Sequence, residues 1–286
     1  MSEPNVTATL DATGEPEIVL LPDPEACAHL AAERIAAALV DAVAARGSAH
    51  WATTGGSTPA AIYRHLADPP LRDTVPWDAV QLWWGDDRFV PRDHPLSNVK
   101  LAADVLLEIG ALSGESGTGD YGVDVLGGRI HGAPLPAENV HPIPTTEAIG
   151  GSHDVDWCAA RYAEMLRADG PPLSGEWPTF DLALLGVGPD GHILSVFPGS
   201  KTFDRKELAL GVPAPSHVEP HVARVTLNPA VLDAARTVLV VSHGESKAAI
   251  LAEVLKGERD PRRLPAQLVR RPGATWFIDR AAARLL

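Results

Sequence analysis

The sequence predicts an α/β fold: a single domain with a largely parallel, doubly wound sheet and helices on both faces, in three layers. Short apolar runs typical of buried strands alternate with segments of helical character. Short glycine-rich turns join them, and no internal repeat or shift in composition marks a domain boundary. Alternation of this kind places crossover helices over parallel strands. We therefore expect one domain over residues 17–286, preceded by a flexible polar tail at residues 1–16.

The first part of this domain contains its longest predicted helix. After a strand at 17–21, Asp23 or Pro24 opens an alanine-rich helix that runs to about Arg46, where Gly47 follows as a stop signal. The other elements predicted in this region are a strand at 50–54, a short helix at 59–66, a strand at 80–84, and a helix from Ser97, its N-cap, to Leu107.

Residues 110–138 interrupt this alternation. They are rich in Gly, Ser and Pro and have no helical or strand periodicity, which predicts an exposed, mobile insertion. The elements predicted after the insertion are a helix at 156–168, a strand at 181–186, a loop-rich region at 199–221, a strand at 222–227, a short helix near 229–235, a strand at 238–242, a helix at 245–256, and a strand at 275–278 followed by a C-terminal helix.

The composition is that of an ordinary soluble globular protein, with 45% hydrophobic and 21% charged residues. No apolar run approaches the roughly 18 residues of a membrane helix, and residues 1–5 lack the features of an export signal. Cys27 and Cys158 suit a reducing compartment, and we interpret them as small buried hydrophobes. We therefore expect a cytoplasmic protein that does not bind membranes.

The net charge of −13 restricts the partners of the chain. A surface this acidic repels nucleic acid and anionic lipid, so neither is an expected partner. A small anionic substrate is compatible with that charge, because local cations and helix N-termini can hold a phosphate against the overall field. We expect a monomer or a small homo-oligomer.

The most informative motif follows an apolar run that predicts a buried strand. From Leu185 to His192 the sequence is Leu-Gly-Val-Gly-Pro-Asp-Gly-His. Ligands bind at the carboxyl ends of such strands, and the ordinary pKa of histidine lies near neutrality. We therefore expect His192 to transfer protons, with Asp190 beside it. The motif also satisfies the dinucleotide pattern G-x-G-x-x-G, but Pro198 would soon end the helix which that site requires, so we disfavour this alternative.

A second strand-to-helix turn, at 54–59, suits phosphate binding. Gly55, Gly56, Ser57 and Thr58 supply backbone N–H groups and hydroxyls at the positive end of a helix. The Gly-Lys-Ser/Thr element of a nucleotide P-loop is absent. A purely structural helix N-cap is the alternative interpretation.

Two cations complete the set of candidate site residues. Arg88 follows the strand at 80–84 in an Asp-Asp-Arg turn, where a guanidinium can clamp a phosphate or stabilise an oxyanion. A solvated acidic turn is the alternative there. Lys247 lies near the N-terminus of the helix at 245–256, where a lysine is unfavourable unless an anion compensates, so it is a candidate phosphate ligand. Nothing distinguishes the nearby His243 from a packing residue.

His217 and His221 have a spacing that superficially suits a metal ion. Pro220 between them excludes a regular helix, and no third ligand is evident. We interpret them as part of a surface loop and expect no metal site.

Four segments, in this order and spacing, resemble the 6-phosphogluconolactonases, within a larger group that includes glucosamine-6-phosphate deaminases. The segments are 54–59, 84–98, 185–199 and 247–248, and the resemblance spans residues 17–286. It implies an enzyme, a lactone hydrolase that converts 6-phospho-D-glucono-1,5-lactone to 6-phospho-D-gluconate in the oxidative pentose phosphate pathway. It also implies no organic cofactor.

The sequence departs from the family pattern in two places. We expect these departures to affect how the substrate fits more than which reaction is catalysed. Asp87 stands where the family usually has the longer Glu, and Ile193-Leu194 stand where it usually has the smaller Thr-Ala. Neither changes His192, Asp190 or Arg88.

For this reaction His192 is the expected general base, which later returns the proton, and Asp190 orients it. Arg88 is expected to stabilise the oxyanion or to bind the anionic substrate. The residues expected to hold the phosphate are Gly55, Gly56, Ser57, Thr58 and Lys247.

Two other functions fit parts of the pattern. An isomerase-deaminase needs a further carboxylate just after the histidine motif, and the next acidic residue is Asp204, which favours the lactonase. A non-catalytic sugar-phosphate sensor is expected to have lost the catalytic histidine and to carry a DNA-binding extension. This chain has His192, and we expect no such extension, so we disfavour a sensor.

Overall fold

A parallel sheet of seven strands forms the centre of the fold, and an eighth strand lies antiparallel on one edge. The computed structural model describes residues 7–9, 14–107 and 132–286. The strands are β1 (Thr7–Thr9), β2 (Glu17–Leu21), β3 (Ala49–Thr53), β4 (Val80–Trp84), β5 (Asp86–Arg88), β6 (Val140–His141), β7 (Leu173–Ser174), β8 (Trp177–Pro178), β9 (Leu182–Leu185), β10 (Ala209–Val212), β11 (Arg224–Leu227), β12 (Thr237–Ser242) and β13 (Ala274–Asp279). The large sheet has the order β1-β2-β13-β12-β9-β3-β4-β6.

Helices connect most of these strands. They are α1 (Pro24–Arg46), α2 (Ser57–Ala67), α3 (Leu71–Thr74), α4 (Asn98–Val105), α5 (Thr145–Gly150), α6 (Val155–Asp169), α7 (Val231–Ala234) and α8 (Ala248–Lys256), with 3-10 turns at 77–79, 137–139, 201–204, 245–247 and 265–269. Across the described ranges, no helix combines the length and apolar character needed to cross a bilayer.

Helix α1 begins and ends where the sequence predicts. The Asp23 carboxylate accepts a hydrogen bond from the amide of Ala26 at 2.8 Å, and Pro24 occupies the first turn. Gly47 ends the helix in the left-handed region, with φ of 81°. An aspartate N-cap and a left-handed glycine satisfy the free backbone groups at the two ends, and the predicted helix is confirmed.

The central sheet is buried on both faces, as expected for parallel strands covered by helices. Every residue of β3 and β9 is buried. The rings of Trp51, Trp83, Trp84 and Trp276 are fully enclosed, and α1 packs along β2, β3, β9, β12 and β13. The predicted α/β class with a largely parallel sheet is confirmed.

A second, antiparallel sheet has the order β10-β11-β5. Asp86–Arg88, predicted as a turn, form its strand β5, and Arg88 pairs directly with Arg224 of β11. Gly85 joins the two sheets, because its amide donates to a carbonyl of β3 and its carbonyl accepts from an amide of β11. The pairing partner lies far along the chain, which explains why the local pattern indicated only a turn.

Other segments also differ from the prediction. Thr7–Thr9, within the expected tail, form β1 against β2. Ala209–Val212, within the expected loop-rich region, form β10 against β11. Residues 280–285 form turns, not the expected C-terminal helix. Short edge strands depend on the neighbour with which they pair, and local sequence does not reveal that neighbour.

Most of the insertion predicted at 110–138 lies outside the described residues. The described part begins at residue 132 and contains the buried Ala133 and Leu135. The Ala133 amide donates to the carbonyl of Leu106 at 2.6 Å. This end of the segment therefore packs against the core, unlike the exposed loop that was predicted.

The strand order creates a switch point between β3 and β9. From β3 the chain continues to β4 and β6 on one side, whereas β9 is followed by β12 and β13 on the other. In open parallel sheets the ligand crevice forms at such a point, outside the carboxyl ends of the strands. The fold therefore predicts a ligand site at the carboxyl ends of β3 and β9.

Candidate active site

A cavity of about 430 Å³ opens at the carboxyl ends of β3, β9 and β12. Its walls are the turn after β3, strand β5 with the start of α4, the loop after β9, part of the segment before β11, and the residues after β12. The predicted site residues that line it are Gly55, Gly56, Thr58, Arg88, His192 and Lys247. Asp190 contacts His192, and Ser57 begins α2, its side chain lying outside the description. The predicted residues therefore meet at the switch point.

His192 and Asp190 form a hydrogen-bonded pair at the cavity wall. Nδ1 of His192 lies 2.5 Å from Oδ1 of Asp190, and Nε2 has no hydrogen-bond partner in the described structure. Burial by itself raises the pKa of the Asp190 carboxyl, but hydrogen bonds from His192 and His217 and the charge of His192 outweigh it and hold the pKa well below its usual range. Asp190 is therefore an anion at neutral pH. It favours the tautomer in which His192 carries its proton on Nδ1 and accepts at Nε2.

The backbone of the 186–192 loop fits closely around the His192 ring. Gly188 has no room for a side chain, because a Cβ there would collide with Nδ1 of His192. Gly191 turns the chain with φ of 82°, and Phe197 packs on the imidazole with ring centroids 4.6 Å apart. The glycines of this motif therefore serve the placement of His192, and no helix begins within the motif as a dinucleotide site would require.

Arg88, Arg224 and Lys247 place cationic groups at the cavity. Lys247 Nζ donates to the carbonyl of Val187 at 2.7 Å. Burial lowers the pKa of Lys247, although the negative charge of Asp190 acts to raise it. The Nε atoms of both arginines are buried and have no hydrogen-bond partner in the described part of the chain. Unpaired guanidinium donors beside a cavity are typical of an anion-binding site.

Arg224 is a site residue that the sequence analysis did not identify. It is 2% exposed, its Nη2 donates to the carbonyl of Pro220 at 3.2 Å, and its guanidinium lies over Phe197, 5.3 Å from the ring centroid. Burial lowers its pKa, opposed chiefly by the charge of Asp86. An arginine inside the predicted strand at 222–227 is the signal that could have identified it, because a buried cation needs a partner.

Asp86 and Asn98 connect β5 to two other parts of the site. Oδ2 of Asp86 accepts from the Ser195 hydroxyl at 2.6 Å, and Nδ2 of Asn98 donates to the Asp86 carbonyl at 2.9 Å. Oδ1 of Asn98 is buried with no partner in the described structure, and it lies where a Cβ on Gly55 would collide with it. These contacts hold β5, the histidine loop and the turn after β3 at fixed relative positions.

Asp87 is fully buried and anchors the segment that carries Arg88. Its carboxylate accepts from the Ser97 hydroxyl at 2.8 Å, from the Asn98 amide at 2.6 Å and from the Arg88 amide at 2.7 Å. Burial raises the pKa of Asp87 to about 6, although these hydrogen bonds oppose the shift. Asp87 therefore orients both Arg88 and the N-terminus of α4.

Asp87→Ala is expected to lower the free energy of unfolding by about 3 kcal/mol or more, because it leaves two buried donors and one half-buried donor without an acceptor. Asp87→Asn is the matched control, since its amide oxygen can still accept from both backbone N–H groups, and it should recover most of the loss. Urea unfolding at pH 7 measures the difference. Parental stability in Asp87→Ala would show that this carboxylate does not anchor the segment.

The same variants predict a pH effect. Burial raises the pKa of Asp87 to about 6 in the folded chain, from 3.8 for an ordinary aspartate. The folded chain therefore binds this proton more tightly than the unfolded chain. The stabilising contribution of the protonated group is therefore complete below pH 4 and is lost as pH rises to 6. Asp87→Asn should lack this decline, which urea titrations at pH 4, 5, 6 and 7 would detect.

The turn after β3 places backbone N–H groups at the N-terminus of α2. Gly56 adopts φ of 107°, a conformation that favours glycine, and no side chain caps this helix in the described structure. Thr58 Oγ1 lies 3.0 Å from Nε2 of His243. His243 therefore lines the cavity and contacts Thr58, a role that the sequence did not indicate. Uncapped N–H groups at a helix N-terminus favour an anion.

His217 and His221 lie on a segment at 213–223 that has no helix or strand. The described residues contain no group of three or more His, Cys, Asp or Glu side chains that could hold a metal ion. Nδ1 of His221 lies 2.7 Å from the carbonyl of Pro215. His217 has a contact that the sequence did not indicate: its Nε2 lies 2.9 Å from Oδ2 of Asp190.

The site combines a cavity that Arg88, Arg224 and Lys247 line with a carboxylate–histidine pair, at the switch point of an open parallel sheet. These features define an enzyme that acts on a small anionic substrate. Residues 22–277 match the family model described as "Glucosamine-6-phosphate isomerases/6-phosphogluconolactonase". The chain belongs to this family.

Individual relatives agree with the family match. The chain is 34% identical over 276 residues to a 6-phosphogluconolactonase of Streptomyces coelicolor, which covers 95% of each chain. It is 31% identical over 249 residues to one of Synechocystis, covering 87% of this chain and 89% of the relative. The structure of 6-phosphogluconolactonase from Trypanosoma brucei superposes with a TM-score of 0.75 at 27% identity, covering 96% of this chain and 100% of that one. The family resemblance expected from the motifs is confirmed.

Proposed function

We propose that this enzyme hydrolyses 6-phospho-D-glucono-1,5-lactone to 6-phospho-D-gluconate, the lactonase step of the oxidative pentose phosphate pathway. The observation that carries the proposal is the His192 imidazole at the wall of a cavity that cations also line. Asp190 holds its Nδ1, and its Nε2 has no hydrogen-bond partner among the described residues. The 6-phosphogluconolactonases of Streptomyces coelicolor and Synechocystis support the same substrate. The reaction needs a base, a site for an oxyanion and a phosphate site, and the cavity offers residues for each.

His192 is the general base of the proposed reaction. Its Nε2 accepts a proton from water as the water oxygen bonds to the carbonyl carbon of the lactone, and Asp190 stabilises the imidazolium that forms. Collapse of the tetrahedral intermediate then breaks the bond between that carbon and the ring oxygen. His192 returns the proton to the departing oxygen, so that the base is regenerated and one water has been added.

The cavity offers partners for the phosphate of the substrate and for the oxyanion that forms during the reaction. Gly55, Gly56 and Thr58 at the N-terminus of α2, together with Ser57 and Lys247, hold the phosphate and fix the lactone ring near His192. Arg88 and Arg224 supply positive charge for the developing oxyanion and for the anionic substrate as a whole. Holding the remote phosphate positions the ester for attack.

The isomerase-deaminase activity that the family name includes has less support. Asp204, the first acidic residue after the histidine motif, is exposed and paired with Arg262 at 2.6 Å, and it does not line the cavity. It is therefore not placed to act as the additional base which that reaction needs. Release of ammonia from glucosamine 6-phosphate by this chain would contradict the lactonase proposal.

A direct assay tests the proposal. Glucose 6-phosphate is oxidised in situ by its dehydrogenase, and disappearance of the lactone is followed with and without the chain. The chain should accelerate this disappearance well above the spontaneous rate. A rate equal to the spontaneous one would overturn the proposal.

The setting of the enzyme is part of the same proposal: the cytoplasm, with no nucleic-acid partner. Cys27 and Cys158 are buried free thiols, and burial raises the pKa of each to about 12, which suits a reducing compartment. The net charge of −13 disfavours nucleic acid. Size-exclusion chromatography with light scattering would distinguish a monomer from a small homo-oligomer.

A further inference from the structure

We propose that His217 is a positioning residue for the His192–Asp190 pair, in which its Nε2–H donates to Oδ2 of Asp190 and fixes the carboxylate that orients the base. The inference rests on the proposed function, because it takes His192 as the general base. His217 has no place in the mechanism given above, and the sequence alone indicated only a surface loop.

The contacts around Asp190 carry this inference. Oδ1 receives Nδ1 of His192 at 2.5 Å and the His192 amide at 3.2 Å, whereas Oδ2 has His217 at 2.9 Å. A carboxylate held through one oxygen can rotate about its Cβ–Cγ bond. With donors on both oxygens the plane of the carboxylate is fixed, and so is the direction in which it holds the imidazole.

The His217 ring is itself held in place from two sides. It packs edge-on against Phe197 with centroids 5.8 Å apart, and Phe197 also contacts the His192 ring. The adjacent Val218 is buried in a small cluster with Phe197 and Val212. The side chain of His217 is still 51% exposed, compared with 13% for His192. Asp190 therefore lies between a histidine that faces solvent and a histidine that faces the cavity.

This arrangement has an electrostatic consequence. A donor on Oδ2 satisfies part of the negative charge of Asp190, so the carboxylate holds the imidazolium of His192 less tightly than it would alone. Without that donor the protonated form of His192 gains stability, and the pH at which the base loses its proton rises. The other charged or titratable groups that face this pair or line its cavity are Lys247, Arg224, Arg88, Asp86, Glu219 and His243.

Three variants distinguish the effect of the His217–Asp190 contact from a general effect on the structure of the 213–223 segment. His217→Ala removes the donor, whereas His217→Gln keeps an N–H donor near the Nε2 position but does not titrate. His221→Ala is the matched control, because His221 lies on the same segment and bonds to Pro215 and Glu219 but not to Asp190. Circular dichroism and thermal melting establish that each variant is folded.

We expect His217→Ala to lower kcat about 10-fold, with KM within twofold of the parent. This is the lower end of the loss found when a group that orients a metal-bound histidine is removed. The acid limb of its kcat/KM profile between pH 5 and 8 should move to higher pH. His217→Gln should recover most of kcat, and His221→Ala should match the parent. Equal losses in His217→Ala and His221→Ala, or a parental kcat and profile in His217→Ala, would overturn the inference.

A titration of His192 by NMR tests the same point without turnover. Its imidazole resonances are assigned by their loss in His192→Ala, and the midpoint of the titration is compared between parent and His217→Ala. A higher midpoint in the variant supports the contact, and an identical midpoint refutes it. If the parent does not hydrolyse the lactone, the proposed function fails, but this titration still decides whether His217 acts on the pair.

Discussion

His192→Ala is expected to lower kcat for lactone hydrolysis about 10²–10⁴-fold, the range for loss of a positioned general base. KM should change little, because Lys247, Arg88, Arg224 and the turn after β3 remain in place to bind the substrate. The measurement is lactone consumption at saturating substrate, with the spontaneous rate subtracted. Hydrolysis at the parental rate would show that this imidazole is not the base.

The controls for this variant are provided by the chain itself. His29 on α1 is mostly exposed, and its ring nitrogen lies 3.5 Å from a Glu33 carboxylate oxygen. His29→Ala therefore removes an imidazole that does not line the cavity and should keep the parental kcat. The melting temperature of His192→Ala should remain close to that of the parent. The His192 ring lies at the cavity wall and not in the closed core, so its removal leaves no internal void.

Lys247→Ala is expected to raise KM about 10–100-fold with a smaller change in kcat. Loss of a charge-assisted hydrogen bond to the phosphate would produce an effect of this size. The comparison that isolates the phosphate uses glucono-1,5-lactone without phosphate as a second substrate. The variant should lose most of the parental preference for the phosphorylated lactone and should retain kcat/KM for the unphosphorylated one.

Lys247 also touches the histidine loop, so a control is needed. Its Nζ donates to the carbonyl of Val187, and Lys247→Met keeps much of the apolar stem while it removes both the charge and the donor. If Lys247→Ala and Lys247→Met lowered kcat/KM equally for both lactones, the residue would act by holding the loop and not by binding the phosphate.

Local sequence was sufficient for the features that depend on neighbouring residues. The caps of α1, the buried strand β9 and the glycine turn before His192 all have signals within a few residues of the element that they define. The placement of Asp190 and His192 follows from that turn, because two residues apart on a tight loop can contact each other. Three of the five walls of the cavity were predictable in this way: the turn after β3, the loop after β9 and the residues after β12.

Features that depend on distant pairing were not predictable from local patterns. Strand β5 exists because β11 pairs with it, and that pairing brings Arg224 to the cavity. The contact between His217 and Asp190 likewise depends on how a segment without regular structure packs over Phe197. One sequence gives no direct sign of such contacts, because the residues that make them lie far apart along the chain.

The register of β5 and β11 sets two guanidinium side chains directly across from one another, Arg88 against Arg224. Like charges in facing positions of neighbouring strands repel, so this part of the fold is less stable than an uncharged pair would make it. An anion seated between them would remove the repulsion. Substrate and product would then act as folding ligands, and the protein should resist heat best when its own metabolites are abundant.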